Sequence, residues 1–267
     1  MTFARDSIVV HEFGNPNGPT LVLLHGVTDS GLDWPDAVAR WGEAYRILAL
    51  DLRGHGVSPR FAEDELVDVA AIWLADVLAV LRAQSEPPVV AGHSLGACLA
   101  LLADATEPGL IGALVLEDPP LPSSELPRDQ ASFGKMLRKW VTSFSDAEGR
   151  AGHIVQARQT TPWSAAEIEA WAASKAKVDQ QMLEHLNLPE IDWGMHLVAT
   201  TTPTLLLLPK DEPLGGADLR AVELAPALAA NNPNVTVTWI AGVGHCMRRD
   251  NLAAYHNEVD PFLDVHS

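Results

Sequence analysis

A serine framed by two glycines is the residue of this chain best placed to act as a nucleophile. Residues 92–96 read GHSLG, after the apolar stretch 88–91 and before the Ala- and Leu-rich stretch 97–103. A buried strand that turns sharply into a helix would strain Ser94 and project its Oγ from the carboxyl edge of a sheet. The flanking glycines let neighbouring backbone pass without a Cβ clash. The N–H of Leu95, free at the helix start, is predicted to bind an oxyanion.

A serine hydroxyl is a weak nucleophile until a base takes its proton. His245 has the surroundings that suit this base, since it follows a predicted strand, ends the glycine-containing loop 242–245 and precedes a helix-like segment. Of the ten histidines, His93 lies inside the pentapeptide and is expected to face away from the side of the nucleophile.

A second oxyanion donor is predicted at the backbone N–H of Val27. Residues 23–27, LLHGV, end an early strand in a loop that would lie near the serine. Gly26 in this loop and Trp34 shortly after it are expected to border the acyl group of a substrate.

Strand-like and helix-like segments alternate through the first 120 residues and again after residue 200, which indicates a mostly parallel sheet with helices on both faces. Strands are predicted at 20–24, 45–50, 89–91, 113–116, 203–208 and 235–240, and helices at 66–84, 219–230 and 252–263. Residues 7–13 are expected to pair with 20–24 as a hairpin across the turn-forming residues 14–19.

The segment 121–200 has helix-like stretches broken by prolines and no convincing strand pattern. We interpret it as a helical cap inserted into a core formed by residues 1–120 and 201–267. Trp140, Trp163 and Trp171 in this segment are expected to line an apolar substrate pocket. For any single tryptophan, simple core packing is the competing interpretation.

The composition narrows the possible partners. The formal net charge of the 267 residues is −17, which disfavours nucleic acid and anionic membranes and leans toward a small neutral substrate. The chain has 47% hydrophobic residues but no apolar run of membrane-spanning length. Its two cysteines are too few for a disulfide framework and are spaced unlike a metal site. No secretory leader pattern is visible at residues 1–6, so the cytoplasm is the expected location. The oligomeric state stays open.

Four short motifs, in this order, resemble the landmarks of the α/β-hydrolase superfamily: His25-Gly26, DLRGHG at 51–56, GHSLG at 92–96 and GVGH at 242–245. The resemblance implies an α/β fold with a mostly parallel eight-stranded sheet flanked by helices. It also implies a catalytic triad in the order serine, acid, histidine, and no cofactor or metal. The superfamily is specific for fold and weak for substrate.

The acid of the triad is where the sequence departs from the pattern. Superfamily members usually place it in a Gly-x-x-Asp setting after the strand that corresponds to 205–208, but here proline replaces the glycine and either Asp211 or Glu212 would fill the position. Some members use an acid after the sixth strand instead, where Asp118 stands. We prefer Asp118 and keep Asp211 and Glu212 as alternatives. A carboxylate that only caps a turn is the competing interpretation of Asp118.

These motifs together predict a serine hydrolase that cleaves a carboxylic ester or lactone with a largely apolar body, through an acyl-enzyme on Ser94. Two alternatives stay open. The same triad could hydrolyse a carbon–carbon bond or act as a perhydrolase, or the chain could be a ligand-binding member of the fold that catalyses nothing.

Overall fold

Seven strands form one sheet in the computed structural model, which describes residues 7–120, 130–210, 227 and 230–267. The strands are β1 (Val9–Gly14), β2 (Thr20–Leu24), β3 (Arg46–Asp51), β4 (Val89–His93), β5 (Ala113–Glu117), β6 (Thr204–Pro209) and β7 (Val235–Ile240). Their order is β1-β3-β2-β4-β5-β6-β7, and all neighbours except β1 and β3 are parallel. The predicted α/β fold is confirmed. An eighth strand, which the resemblance implied, is not among the described residues.

The predicted hairpin at the start of the chain is wrong. Strand β1 runs antiparallel to β3, with Val9 opposite Asp51, and β3 therefore lies between β1 and β2. The turn-forming residues 14–19 instead pack against the end of the loop before β3, where Asn15 N–H donates to Tyr45 O at 2.9 Å. The loop 14–19 lets β3 lie between β1 and β2. The buried β2 therefore has a parallel partner on each side, β3 and β4.

Helices cover both faces of the sheet. The helices are α1 (Pro35–Trp41), α2 (Val69–Arg82), α3 (Leu95–Thr106), α4 (Gln130–Thr142), α5 (Ala147–Thr160), α6 (Ala165–Lys175), α7 (Gln180–Glu184), α8 (Trp193–Ala199), α9 (Met247–Asp250) and α10 (Leu252–His266), with a 3-10 turn at Glu65–Val67. In the part of the chain that the structure describes, no helix is both long and apolar enough to cross a membrane.

The apolar core lies on both sides of the sheet because successive strand residues point to opposite faces. In β2, Val22 joins the cluster packed against α2 and α3, whereas Leu21 and Leu23 join the cluster packed against α1 and α10. The central strands are buried on both faces, as expected for parallel strands between helical layers.

Residues 130–199 contain α4 to α8 and no strand. Four of these helices begin at a side chain that caps their free N–H groups: Asp146 accepts from Gly149 N, Ser164 from Glu167 N, Asp179 from Gln181 N and Asp192 from Met195 N. The division of the chain into a core and a cap stays a prediction. The predicted helix at 219–230 falls almost entirely outside the described residues.

Candidate active site

Ser94 stands in a strained turn between β4 and α3. Its φ of 53° and ψ of −114° lie in a region that L-residues rarely adopt. The turn closes tightly because both flanking glycines lie against backbone: a Cβ on Gly92 would meet the carbonyl carbon of Gly96 at 2.4 Å, and a Cβ on Gly96 would meet Leu24 O at 2.1 Å. The predicted strand–turn–helix around Ser94 is present, and Ser94 is 9% exposed.

Asp118 occupies the equivalent position on the neighbouring strand. His93 and Glu117 are register partners in β4 and β5, so Ser94 and Asp118 each follow directly after a paired position. Ser94 N–H donates to Glu117 O at 2.9 Å. Among the described non-glycine residues, Ser94 and Asp118 alone have a positive φ, and that of Asp118 is 37°. Backbone strain of this kind concentrates at functional sites.

His245 reaches Asp118 from the loop after β7. Its Nδ1 lies 2.7 Å from Asp118 Oδ2, and we assign the proton to Nδ1 because the carboxylate can only accept. Burial alone would lower the pKa of His245, but its hydrogen bond to Asp118 and the negative charges of Asp118 and Glu117 raise the pKa above its ordinary value. The carboxylate side chain is fully buried, whereas the imidazole is 38% exposed.

Within the described residues, no hydrogen bond joins Ser94 Oγ to His245. Such bonds are often long in substrate-free enzymes and tighten when substrate binds. His93 holds the loop of His245 in place instead, because its Nε2–H donates to His245 O at 2.8 Å and the two rings lie 4.7 Å apart. His93 therefore contacts the proposed base from the side, and burial together with the charges of His245 and Arg248 holds its pKa well below the usual range.

The two predicted oxyanion donors belong to segments next to Ser94, and their role stays a prediction. Leu95 is the first residue of α3, so its N–H has no partner within the helix. Gly26 lies directly beside the nucleophile turn, since a Cβ on Gly26 would be 3.5 Å from Ser94 Cβ. The N–H of Val27 is not used by any hydrogen bond in the part of the chain that is described.

Seven charged side chains are buried next to these residues, and we call them the charge cluster. They are Asp29, Asp33, Glu117, Glu167, Lys175, Arg248 and Arg249, each at most 5% exposed. Arg248 donates to Glu117 Oε2 at 3.1 Å, and Arg249 donates to Glu167 Oε2 at 2.8 Å. The Arg249 guanidinium also lies 3.4 Å from Asp29 Oδ2. Opposite charges thus compensate each other in the protein interior.

The ionisation of the charge cluster is uneven. Burial alone would raise the pKa of Asp29, but Lys175 and Arg249 bring it well below its usual range. Burial and the neighbouring charge of Asp29 raise the pKa of Asp33 to about 7. Burial likewise raises the pKa of Glu117. Asp29 is therefore firmly ionised, in contrast to Asp33 and Glu117.

Comparison with known proteins places this geometry in a family. The model of the Alpha/beta hydrolase family matches residues 21–257, which include the serine turn, Asp118 and the loop of His245. The chain is an α/β hydrolase.

Two curated relatives of this α/β hydrolase illustrate its neighbourhood. It is 26% identical over 255 residues to N-formylmaleamate deformylase of Pseudomonas putida, covering 92% of this chain and 89% of that protein. It is 41% identical over 112 residues to lipase LipV of Mycobacterium tuberculosis, covering 41% of each. The chain spans 29% of the length of uncharacterized mycobacterial proteins to which it is 33% identical.

The solved structures agree with the fold of the hydrolase. The esterase RhEst1 from Rhodococcus sp. ECU1013 superposes with a TM-score of 0.70 at 22% identity, covering 97% of this chain and 95% of that chain. An identity this low shows a shared fold.

The four tryptophans that were expected near the substrate of the hydrolase lie in two different environments. Trp34 is 1% exposed, and its ring stacks 3.9 Å from the Arg248 guanidinium carbon, so it packs on the charge cluster. Trp140, Trp163 and Trp171 are half-buried and in contact, with ring centroids of neighbours 5.5 and 6.2 Å apart. Their contact with a substrate stays a prediction.

Two of the predicted acid positions of the hydrolase, Asp211 and Glu212, lie outside the described residues. Within the described ranges, no group of three or more His, Cys, Asp or Glu side chains is arranged to hold a metal ion. Cys246, next to His245, has its pKa raised to about 11 by burial and is therefore a thiol at neutral pH.

The charge cluster was missed by the sequence interpretation. The adjacent arginines Arg248 and Arg249, three residues after His245, were the visible signal in an acidic chain. Their partners are far away in sequence, since Arg249 Nη2 donates to Asp33 O across 216 residues. Sequence distance of this size hides a buried pairing.

Proposed function

We propose that this α/β hydrolase cleaves a carboxylic ester or lactone through an acyl-enzyme on Ser94, with His245 as general base and Asp118 as the acid that orients it. The observation that carries the proposal is the 2.7 Å contact between His245 Nδ1 and Asp118 Oδ2 at the edge of the sheet where Ser94 is strained. A carboxylate on Nδ1 leaves Nε2 free to accept a proton.

In this mechanism, Ser94 Oγ attacks the carbonyl carbon of the substrate while His245 Nε2 takes the hydroxyl proton. The N–H groups of Val27 and Leu95 donate to the resulting oxyanion. The intermediate collapses, the carbon–oxygen bond to the leaving group breaks, and the alkoxide takes the proton from His245. A water then attacks the acyl-enzyme by the same sequence of steps and restores Ser94.

The substrate class rests on two lines of support. The aromatic side chains of Trp140, Trp163 and Trp171 are half-buried and leave apolar surface for a substrate body. The similarity to a lipase supports an ester over part of the chain. The chain is therefore assigned a small, largely apolar ester or lactone as substrate, acted on without a cofactor.

A second candidate is hydrolysis of a formamide-type C–N bond, since the deformylase relative aligns over 92% of this chain. The same triad would act, with the amine nitrogen taking the proton from His245 as it leaves. An amine is a poorer leaving group than an alkoxide, so protonation by His245 matters more in this reaction.

The experiment combines a fluorophosphonate probe with a substrate panel. Intact-protein mass spectrometry is expected to show one adduct, located at Ser94 by peptide mapping, and none in Ser94→Ala. A panel of p-nitrophenyl esters of increasing acyl length, several lactones and N-formyl amides then ranks the bond types. Absence of an adduct on folded protein contradicts every version of the proposal, and turnover of formamides above esters selects the second candidate.

A further inference from the structure

Three consecutive carbonyl groups of the loop after β2 are each held by a side chain. His25 Nδ1–H donates to Gly26 O at 2.7 Å, and His55 Nε2–H donates to Val27 O at 2.7 Å. Lys175 Nζ donates to Thr28 O at 2.9 Å. Because each peptide unit is planar, fixing the Gly26 carbonyl also fixes the direction of the Val27 N–H in the same unit, and the bonds to Val27 O and Thr28 O hold the two peptide units that follow it.

Lys175 differs from the two histidines because it comes from outside this part of the chain. It is the last residue of α6 and lies 147 positions after Thr28. Its side chain is fully buried, and its ammonium also donates to the Asp29 carboxylate and to Ser174 Oγ. With all three N–H bonds used inside the protein, the ammonium is a structural donor and has none left for a ligand.

The aromatic rings and the carboxylate around Lys175 stabilise its charge. The rings of Trp140 and Trp171 have their centroids 5.4 and 5.7 Å from Nζ, which is within cation–π range. Asp29 provides the opposing charge. Lys175 therefore keeps a buried cation at the end of the oxyanion loop, which we define as residues 26–29.

The same helix also contacts the other side of the site. Glu167, in the first turn of α6, accepts from Arg249 Nε at 2.8 Å and from Asp36 N–H at 3.3 Å. Arg249 lies in α9, four residues after His245. Helix α6 thus bridges the oxyanion loop, through Lys175, and the segment that follows the proposed base, through Glu167.

We propose that Lys175 is a positioning residue: its bonds to Thr28 O and Asp29 hold the oxyanion loop so that the Val27 N–H points at the oxyanion, and docking of α6 thereby completes the oxyanion site. This inference rests on the proposed function for its catalytic consequence. The positioning itself does not, because it concerns the order of a loop and has a readout that needs no turnover.

The first measurement is hydrogen exchange by mass spectrometry on the full chain, comparing Lys175→Met with wild type. Peptides covering residues 20–34 are expected to exchange at least about tenfold faster in the variant, since Asp29 N–H, bonded to Gly26 O, loses the support of the fixed loop. Lys177→Met is the matched control: it is two residues away and half-buried, and its side chain makes no ion pair or hydrogen bond in the described structure. It should exchange like wild type.

The second measurement is kinetic and uses the best ester of the panel. Lys175→Met is expected to lower kcat about 10- to 100-fold, because a small misplacement of an oxyanion donor weakens transition-state binding, while KM changes by less than about threefold. The inhibition constant of a trifluoromethyl ketone with the same acyl group, which forms a tetrahedral adduct on Ser94, should rise in proportion. If Lys175 contributed only to overall stability, the kcat and the inhibition constant of fully folded Lys175→Met would equal those of wild type.

Outcomes separate cleanly. Unchanged exchange of peptides 20–34 in folded Lys175→Met overturns the proposal, and so does faster exchange with unchanged kcat and ketone affinity. If wild type turns over no substrate, the proposed function fails and the exchange measurement still decides whether Lys175 positions the loop. Should Lys175→Met not fold, Asp29→Asn with Lys175→Met removes both charges of the pair. It is still expected to exchange faster, because Thr28 O has lost its donor.

Discussion

The proposed reacting groups and the charge cluster lie side by side at one edge of the sheet but are held in opposite ways. In the described structure, Ser94 Oγ makes no hydrogen bond and Asp118 Oδ1 has no partner, and both residues have strained backbones. Lys175 and Arg249 are fully buried and each contacts several partners. Hydrogen-bonding capacity is thus left open where a substrate would react, whereas Lys175 and Arg249 use theirs to fix neighbouring segments in place. The charge cluster is not fully satisfied, since Asp33 Oδ2 and Arg248 Nε also have no hydrogen-bond partner among the described residues.

This difference assigns two kinds of sensitivity. Substitutions of reacting groups should reduce turnover with little change in the free energy of unfolding. Substitutions in the charge cluster should reduce stability or order, because removal of one partner leaves a buried charge uncompensated.

The largest effect is expected for Ser94→Ala. Loss of the nucleophile in a serine hydrolase lowers kcat by about 10⁶-fold, because binding and the oxyanion donors alone remain. Ester turnover measured with a sensitive chromogenic substrate checks this, with Ser143→Ala, an exposed serine on the surface, as control. Residual activity near the wild-type value in Ser94→Ala would falsify the assignment of the nucleophile.

Asp118→Asn should follow, with a loss of about 10³- to 10⁴-fold in kcat, because an amide in place of the carboxylate favours the wrong tautomer of His245. If the reacting groups serve turnover and contribute little to stability, the free energy of unfolding of Asp118→Asn should stay near that of wild type. Alanine variants of Asp211 and Glu212 complete the comparison. Near wild-type turnover in Asp118→Asn, together with a large loss in either of those, would move the acid to the other position.

Substitutions in the charge cluster are expected to differ from those of the reacting groups by their effect on the free energy of unfolding. Arg249→Met should lower the free energy of unfolding by about 3–5 kcal/mol, because Glu167 loses a buried partner. Arg158→Met is the matched control. Arg158, in α5, pairs at 2.7 Å with Glu169, which lies in α6 like Glu167, but both side chains of this pair are more than half exposed. Its effect should be about 0–1 kcal/mol. If urea denaturation shows equal losses of unfolding free energy in the two variants, the buried pair is no more important for stability than the exposed one, and the prediction is wrong.

The reacting region was accessible to sequence interpretation because its requirements are local. A sharp strand-to-helix turn needs glycines at fixed offsets, and the backbone contacts of Gly92 and Gly96 show why. Asp118 was favoured for a related reason, since one helix and one strand after Ser94 return the chain to the same edge of a parallel sheet. Order along the chain and distance between strand ends predict which side chains meet there.

The partners of strand β1 and of the charge cluster were beyond that kind of prediction. The residues 14–19 form turns in any arrangement, so they do not distinguish a hairpin from a loop that lets β3 enter. Lys175 ends an ordinary helix in sequence, and its burial depends on Asp29, Trp140 and Trp171, which meet it only in the folded chain. Compensation between distant charges has no local pattern.

The pH dependence gives the smallest effect and the finest comparison between the two regions. Only the neutral imidazole of His245 can take the Ser94 proton, so kcat/KM should rise with pH through the pKa of His245. Because Asp118 and Glu117 raise that pKa, the acidic limb of the profile should have its midpoint above about 6.5.

The direction of the His245 pKa shift can be tested by measuring the pH profile of the residual activity of Asp118→Asn. Loss of the hydrogen bond and of the negative charge leaves burial, which favours the neutral imidazole, so the midpoint should move to lower pH. Glu117→Gln should move it in the same direction but less, since Glu117 makes no hydrogen bond to His245 and its carboxylate is bonded to Arg248. A midpoint that moves upward in Asp118→Asn would show that a different group controls the acidic limb, and the charge cluster, with Asp33 at a pKa of about 7, is where that group would be sought.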